Sequence, residues 1–231
     1  RLIALDATSG ARIRSFGDSG AVDLKLNMDQ PILPDLETGE IGYQGAPTVA
    51  RDVVIIGAAF REGGSPKSYR NNKGDIRGFD ARTGRLVWTF HTVPQPGEPN
   101  HETYKGDEWQ GLTGANVWST MALDEANGIL FAPTGDVNGD ASGPHLYSSS
   151  LLALDAQTGK LRWYKQLVHR DMWDWDSATP PVLFDHVGQG LELRVHAGGD
   201  DHRRRRPHRP RHRPRPWDRR GGGGGHAGGQ G

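Results

Sequence analysis

The sequence predicts an all-β protein assembled from a repeated unit of four antiparallel strands. Its composition is the first reason, since 33 glycines and 15 prolines among 231 residues, with only 34% hydrophobic residues, favour short strands joined by many turns. The second reason is a hairpin motif that recurs three times along the chain. The third is a pair of apolar strands that precedes the second and the third copy of this motif.

The hairpin motif combines an apolar run with Asp-Ala, two further residues and Gly. Its marker aspartates are nearly evenly spaced, at Asp6, Asp80 and Asp155. Alternating apolar residues suit a pleated strand, the aspartate bonds the turn backbone, and the glycine accepts a positive φ. A tryptophan follows the glycine by four residues in two copies, Trp88 and Trp163, and Arg14 takes that place in the first. We expect strands at 151–155 and 161–167, and in the first copy a returning strand over 12–16.

The strand pairs upstream of the later copies complete each unit. They are predicted at residues 46–50, 53–57, 118–123 and 128–132. Four-stranded units that repeat along a chain are typical of β-propeller blades, which bury their faces against one another. Residues 1–193 hold about three such units, which indicates part of a larger ring. An unrelated string of hairpins is the alternative, and the regular spacing argues against it.

Residues 194–231 differ from the rest, because arginine, proline and glycine replace the alternating pattern. Such a segment cannot bury enough apolar surface to fold, so we expect a disordered tail. It can be interpreted as a nucleic-acid-binding arm, as an adventitious metal-binding tract, or as the product of a shifted reading frame near residue 190. We favour the frame shift, because a GC-rich coding sequence yields these residues out of frame. The acidic residues 1–193 argue against a nucleic-acid partner.

Compartment cannot be inferred from the residues themselves. The chain has no cysteine, no apolar run of membrane-spanning length and no signal-peptide pattern at its start, so a targeting segment is expected to lie upstream if one exists.

The long connections of the predicted units all emerge at one end of the strands, opposite the tight turns. They carry Glu62, then Asp136, Asn138 and Asp140, and finally a stretch from His169 to Asp176 with interleaved tryptophans and acids. Oxygen ligands from separate loops suit a hard cation such as Ca²⁺, and tryptophans suit a flat aromatic ligand. Read differently, the Asp, Asn and Gly residues of 135–140 are simply turn formers.

Three stretches carry a resemblance to a known family: residues 74–88, 151–163 and 168–176. They resemble the quinoprotein dehydrogenases that depend on pyrroloquinoline quinone (PQQ), most closely the membrane glucose dehydrogenase type, over roughly residues 1–190. The resemblance implies part of an eight-bladed β-propeller. It also implies oxidation of an aldose or alcohol by hydride transfer to PQQ, which lies beside Ca²⁺ or Mg²⁺.

The same resemblance implies roles for individual residues. Asp174 is expected to be the catalytic base and, with Glu62 and Asn138, a metal ligand, although Asp136 rivals Asn138. Trp118 is expected to stack on the quinone ring. Asp171 and Asp176 are expected to be structural or tuning groups.

The resemblance further implies a sugar or alcohol substrate, a quinone or cytochrome electron acceptor, and a periplasmic or membrane-associated location. A basic residue that the family places near the quinone oxygens has no counterpart here, so we expect this chain to be inactive by itself. The alternative function is a non-catalytic propeller scaffold. It would share the hairpins but has no need for Glu62, Asn138 and Asp174 at one end of the strands.

Overall fold

The computed structural model describes residues 1–30, 42–43, 45–58, 73–138, 143–171, 175–177, 179–186 and 190–194. All of them belong to one compact unit, Arg1–Asp200. The last described strand ends at Arg194, the first residue of the predicted tail. The rest of that tail, residues 195–231, lies outside the described residues. Among the described residues, no helix combines the length and the apolar character needed to cross a lipid bilayer.

Fourteen strands and two short helices make up the described structure. In chain order they are β1 (Leu2–Ile3), β2 (Ala21–Val22), β3 (Thr48–Ala50), β4 (Val53–Gly57), β5 (Ile76–Asp80), β6 (Leu86–Phe90), a 3₁₀ turn (His101–Thr103), α1 (Glu108–Gly111), β7 (Thr113–Gly114), β8 (Ala122–Asp124), β9 (Ile129–Pro133), β10 (Val137–Asn138), β11 (Ser150–Asp155), β12 (Leu161–Gln166), β13 (Val182–His186) and β14 (Gly190–Arg194).

Two complete four-stranded antiparallel sheets confirm the predicted repeat. The first sheet has the order β3-β4-β5-β6, and the second has the order β8-β9-β11-β12. Shorter pairs, β1 with β2 and β13 with β14, lie before and after them in the chain. The sequence placed the strands of both complete sheets correctly, apart from their ends. The largest shift is at β8, which begins at Ala122 and not at Trp118.

The tight turn of the motif is the same in all three copies. In the second copy, Asp80 Oδ1 accepts hydrogen bonds from the backbone N–H and the hydroxyl of Thr83, both at 2.8 Å. Asp6 and Asp155 accept the equivalent bonds from Ser9 and Thr158. The glycines that close the turns have φ values of 71°, 73° and 70°. The motif therefore specifies this turn locally, as predicted.

The prediction of a returning strand over residues 12–16 is wrong. Only one isolated bridge, between Leu5 and Arg12, is present there. The chain instead turns at Phe16, whose ring is buried, and β1 pairs with β2 further along. This copy lacks the motif's tryptophan, and Phe16 with Val22 lies against the turn glycine Gly84 of the next unit.

Trp88 joins the two complete sheets. Its ring lies directly over Gly78 on the neighbouring strand β5, where an added Cβ would stand 2.3 Å from the indole. Its other contact is Gly159, the turn glycine of the second sheet, where an added Cβ would stand 2.5 Å from the ring. The main apolar core surrounds this contact and draws on both sheets, including Ile55, Leu130 and Leu152. Trp88 therefore packs one unit onto the next.

Candidate functional site

The segment that follows β7 passes between the ends of the two complete sheets. Val117 N–H donates to the carbonyl of Ala58, just after β4, at 3.1 Å. The carbonyl of Asn116 accepts from the N–H of Gly135, just after β9, at 2.8 Å. Both β4 and β9 end at the side of the long connections, so these bonds fix Trp118 at that end of the strands. This agrees with the predicted gathering of the long loops.

The connection after β9 lies alongside this segment. β10 pairs antiparallel with β7, so that Val137 stands opposite Gly114 and Asn138 opposite Thr113. The N–H of Ala115 also donates to the carbonyl of Asp136 at 2.5 Å. The backbone of the two rival metal-ligand positions, 136 and 138, is thereby held next to the segment that carries Trp118.

Asp176 connects these two segments to the loop of tryptophans and acids. Its Oδ2 accepts a hydrogen bond from the indole N–H of Trp118 at 3.1 Å. Its Oδ1 accepts one from the backbone N–H of Asp136 at 2.7 Å. A Cβ added to Gly135 would stand 2.4 Å from Asp176 Oδ1, so the carboxylate occupies space that only glycine leaves open.

Asp171 anchors the other side of the same loop. Its Oδ2 accepts hydrogen bonds from the hydroxyl of Ser149 at 3.1 Å and from the backbone N–H of Trp175 at 3.0 Å. Ser149 is buried just before β11, and its carbonyl accepts the N–H of Leu167 just after β12. The two carboxylates therefore tie residues 171 and 176, on either side of position 174, to the ends of the second sheet.

The predicted site residues are described to different degrees. Trp118 is described in full, and the structure brings it together with Asp136 and Asp176. Asn138 is described only as part of the backbone of β10. Glu62, Asp140 and Asp174 lie outside the described residues, so their predicted roles stay predictions. Among the residues that the structure describes, no three His, Cys, Asp or Glu side chains form a group able to hold a metal ion.

Three buried polar atoms close in sequence to Trp118 or Asp176 have no hydrogen-bond partner. They are Thr113 Oγ1 and Asn116 Oδ1 on the segment that leads to Trp118, and Ser177 Oγ next to Asp176. Buried polar groups in proteins are almost always paired, and unpaired ones often mark the place of an absent water, ion or ligand. The half-buried Trp118 indole with the Asp176 carboxylate at its edge fits a flat, polar ligand such as PQQ.

A buried charged cluster lies close to this segment and was not recognised from the sequence. Asp75, before β5, accepts from the amide of Gln30 at 2.8 Å, and burial raises its pKa from 3.8 to about 6. Burial likewise lowers the pKa of Lys73, against the opposing effect of Asp75. The Lys73 ammonium stands 5.7 Å from the centre of the Trp109 ring, and its backbone bridges to Gly114 of β7.

Burial works to lower the pKa of His91, but Asp75 and hydrogen bonds with Glu98 and Asp29 outweigh it and raise that pKa overall. His91 binds Glu98 at 2.7 Å and Asp29 at 3.1 Å. The alternating pattern of a strand gives no sign of charges buried at its end, so only the structure shows this cluster.

Comparison with known proteins places this geometry in a family. Residues 1–197 match the family described as "PQQ: Glucose/ethanol/alcohol dehydrogenase, beta-propeller domain". The chain is 32% identical over 191 residues to the quinate/shikimate dehydrogenase (quinone) of Acinetobacter baylyi, covering 80% of this chain and 22% of that protein. It is 32% identical over 202 residues to the quinoprotein glucose dehydrogenase of Escherichia coli, covering 84% of this chain and 24% of that protein.

A solved structure extends the likeness to the fold. The quinohemoprotein alcohol dehydrogenase of Comamonas testosteroni matches 66% of this chain and 25% of its own, with 27% identity and a TM-score of 0.56. The chain thus spans about a quarter of the length of the relatives that it matches. The predicted propeller fold and the predicted family are confirmed. With nearly its whole folded part matched, the chain belongs to the β-propeller family of PQQ-dependent glucose, ethanol and alcohol dehydrogenases.

Proposed function

We propose that this chain supplies part of the active site of a PQQ-dependent dehydrogenase that oxidises a hydroxyl group of an aldose or alcohol. The observation that carries the proposal is the meeting of three connections at one end of the sheets. Asp176 bonds the indole of Trp118 and the backbone of Asp136 at the same time. A non-catalytic scaffold has no need for these connections to converge.

Different residues of these connections would bind the cofactor and the metal ion. PQQ would supply the carbon that accepts the hydride, and a divalent ion, Ca²⁺ or Mg²⁺, would supply a Lewis acid. Trp118 offers the flat face against which the quinone ring stacks. Glu62, Asn138 and Asp174 are the proposed ion ligands, with Asp136 as the rival of Asn138.

The chain's own chemical contribution is proton removal. In the proposal, the carboxylate of Asp174 takes the proton of the substrate hydroxyl as the hydride leaves. A base works only when it is held within hydrogen-bond reach of the proton that it removes. Asp171 and Asp176, the described carboxylates on either side of position 174, both accept hydrogen bonds from residues at the ends of strands of the second sheet, and this supports the role.

The substrate is proposed at the level of its reacting group. The relatives named above act on glucose, on quinate or shikimate, and on alcohols, and these compounds share a carbon that bears a hydroxyl. We propose a glucose-like aldose or a simple alcohol. We also propose a quinone or cytochrome electron acceptor and a periplasmic or membrane-associated location, both from resemblance.

Reconstitution tests the proposal. A form of the protein extended to the length of its relatives would be loaded with PQQ and Ca²⁺ and assayed by dye reduction with glucose, ethanol and quinate. Asp174→Asn should lower kcat by about 10² to 10⁴, the usual contribution of a general base. Trp163→Phe, a change on the second sheet away from the loops, is the control and should leave kcat unchanged.

The same extended protein distinguishes the scaffold alternative. Absence of both PQQ binding and turnover would support the scaffold and overturn the proposal. The chain of 231 residues alone is expected to show no turnover, because the family's basic residue near the quinone oxygens has no counterpart in it.

A further inference from the structure

We propose that Asp176 is a positioning residue that sets the plane of the Trp118 ring and locks it to the connection carrying the rival metal-ligand positions 136 and 138. The inference rests on the proposed function and deepens it. It assigns Asp176, expected only to be structural or tuning, to the placement of the quinone's stacking partner.

The hydrogen bonds require a carboxylate at this position. Each oxygen of Asp176 accepts from a different donor, the indole N–H of Trp118 at 3.1 Å and the backbone N–H of Asp136 at 2.7 Å. An ionised carboxylate can accept on both sides, whereas an asparagine of the same shape offers one acceptor and one donor. Asparagine would therefore direct an N–H against one of these two N–H groups.

The indole bond is specific to Trp118. The indole nitrogen of Trp88 is buried without a hydrogen-bond partner, so this fold tolerates an unpaired indole N–H where the ring is held by packing alone. Trp118 is only half-buried, and packing alone leaves its ring freer to turn. A hydrogen bond to the edge of the indole fixes the side-chain torsion that turns the ring. Packing against a partly exposed ring does not fix this torsion.

A glycine next to the carboxylate of Asp176 leaves the space that this group occupies. The missing side chain of Gly135 allows Asp176 to reach the backbone of the connection after β9. Gly135 itself bonds to both Asn116 and Ser149 through its backbone. One carboxylate therefore joins the ring, the β9 connection and the loop after β12, so a tilt of the ring would have to move all three.

The experiment uses the protein extended to the length of its relatives, as above, and four variants: Asp176→Asn, Trp118→Phe, the double variant, and Asp155→Asn as a control. Asp155 lies in a tight turn at the opposite end of the second sheet, so its change is chemically identical but remote. The first measurement is the ¹H–¹⁵N signal of the Trp118 indole without any ligand, identified by its absence in Trp118→Phe. A carboxylate-bonded indole proton should move upfield in Asp176→Asn and stay in place in Asp155→Asn.

The second measurement is the affinity for PQQ, followed by quenching of tryptophan fluorescence. Asp176→Asn should weaken binding about tenfold, in line with the loss of one hydrogen bond to a charged group. In the Trp118→Phe background the same change should weaken binding by about twofold or less, because the indole donor is already gone.

The outcomes separate the two proposals. An unmoved indole signal in Asp176→Asn, or equal losses of PQQ affinity with and without the Trp118 indole, overturns the positioning role. If the unaltered extended protein binds no PQQ, the proposed function fails, while the indole signal still decides whether Asp176 holds the ring.

Discussion

The two complete sheets have the same strand arrangement, but their equivalent side chains differ in burial and charge. Both shift register at the same point, between Gly78 and Phe79 in the first and between Ala153 and Leu154 in the second. The motif tryptophan stands opposite the residue before that shift in each case. Yet Trp88 is 8% exposed and Trp163 is 42% exposed. The same sequence motif has therefore produced the same strands and two different environments.

The neighbours of each ring explain the difference. Trp88 lies over a glycine of its own sheet and against a turn glycine of the next unit. Trp163 stands opposite Ala153, and its aromatic neighbour is Phe131 at 5.8 Å between ring centres. The motif thus determines the hairpin, while burial of the tryptophan depends on which unit lies beside it.

The central strands also differ in charge. Counting back from the turn aspartates, Asp75 and Arg77 of the first sheet correspond to Ser150 and Leu152 of the second. Arg77 is 1% exposed and donates to the carbonyl of Leu24 and to the Tyr43 hydroxyl. The first sheet therefore buries ionisable groups where the second buries neutral ones, and its stability should depend more on pH.

Removing the two tryptophans tests the comparison with the largest expected effect. Trp88→Ala should lower the free energy of unfolding by about 3 to 5 kcal/mol, because it leaves a cavity between two units. Trp163→Ala should cost less, about 1 to 2 kcal/mol, because 42% of Trp163 is already exposed. Urea unfolding followed by circular dichroism measures both. Equal losses would show that the two rings are not in different environments.

The buried Asp75 should make stability fall as pH rises. Its pKa in the folded chain, about 6, lies above the ordinary 3.8, so the folded state binds the extra proton and loses this stabilisation as pH passes through 6. The loss between pH 5 and pH 8 should be about 1.4 kcal/mol, because this range includes only the last pH unit below the folded pKa of about 6. The raised pKa of His91 acts in the same direction.

Asp75→Asn checks this expectation when unfolding is measured across the same pH range. The variant's stability should change much less between pH 5 and pH 8 than that of the unaltered chain. A parallel decline in both proteins would assign the pH dependence to other groups.

The turn glycines sharpen the comparison further. Gly10 and Gly159 have nearly the same φ, 71° and 70°, but a Cβ on Gly10 meets nothing within 4 Å, whereas one on Gly159 meets the Trp88 ring at 2.5 Å. Gly10→Ala should cost about 1 to 2 kcal/mol of backbone strain. Gly159→Ala should cost about 1 to 3 kcal/mol more, from overpacking. Thermal unfolding of both variants gives the difference, and a Gly159→Ala no worse than Gly10→Ala would contradict the packing of Trp88 on this turn.

The smallest expected effect concerns the turn of the second sheet. The hydrogen bond from Arg162, and then those from Thr158 and Gln157, lower the pKa of Asp155. This stabilisation is present above the ordinary pKa and is lost as pH falls through the lowered value. Asp155→Asn should therefore cost under about 1 kcal/mol at pH 7, because the pair is partly exposed, and the difference between the two proteins should shrink as pH falls below the ordinary pKa of 3.8. A constant difference at all pH values would exclude the charge as the cause.

The sequence predicted what local patterns determine. Period-two alternation and the Asp-to-Gly turn sufficed for the strands of both complete sheets, and the lengths of the connections predicted which end carries the long loops. Phe16 could not be predicted to replace a tryptophan, because its partner, Gly84, belongs to the next unit.

The side-chain contacts of the site could not be predicted from the sequence for a related reason. Trp118 and Asp176 are 58 residues apart, and their hydrogen bond depends on how two irregular loops lie against each other. The family resemblance indicated which residues belong to the site. It gave no sign that Asp176 accepts from both Trp118 and Asp136.

The separation of the tight turns from the loop end has a practical consequence. The turn between β8 and β9 is closed by Asp124 and Asn127 through their own hydrogen bonds, and β9 spans five residues, about 16 Å, before the loops begin. A peptide tag or a surface linker joined at this turn would leave the end that carries the long loops facing away from the support. The protein could then be immobilised on a surface in a single orientation.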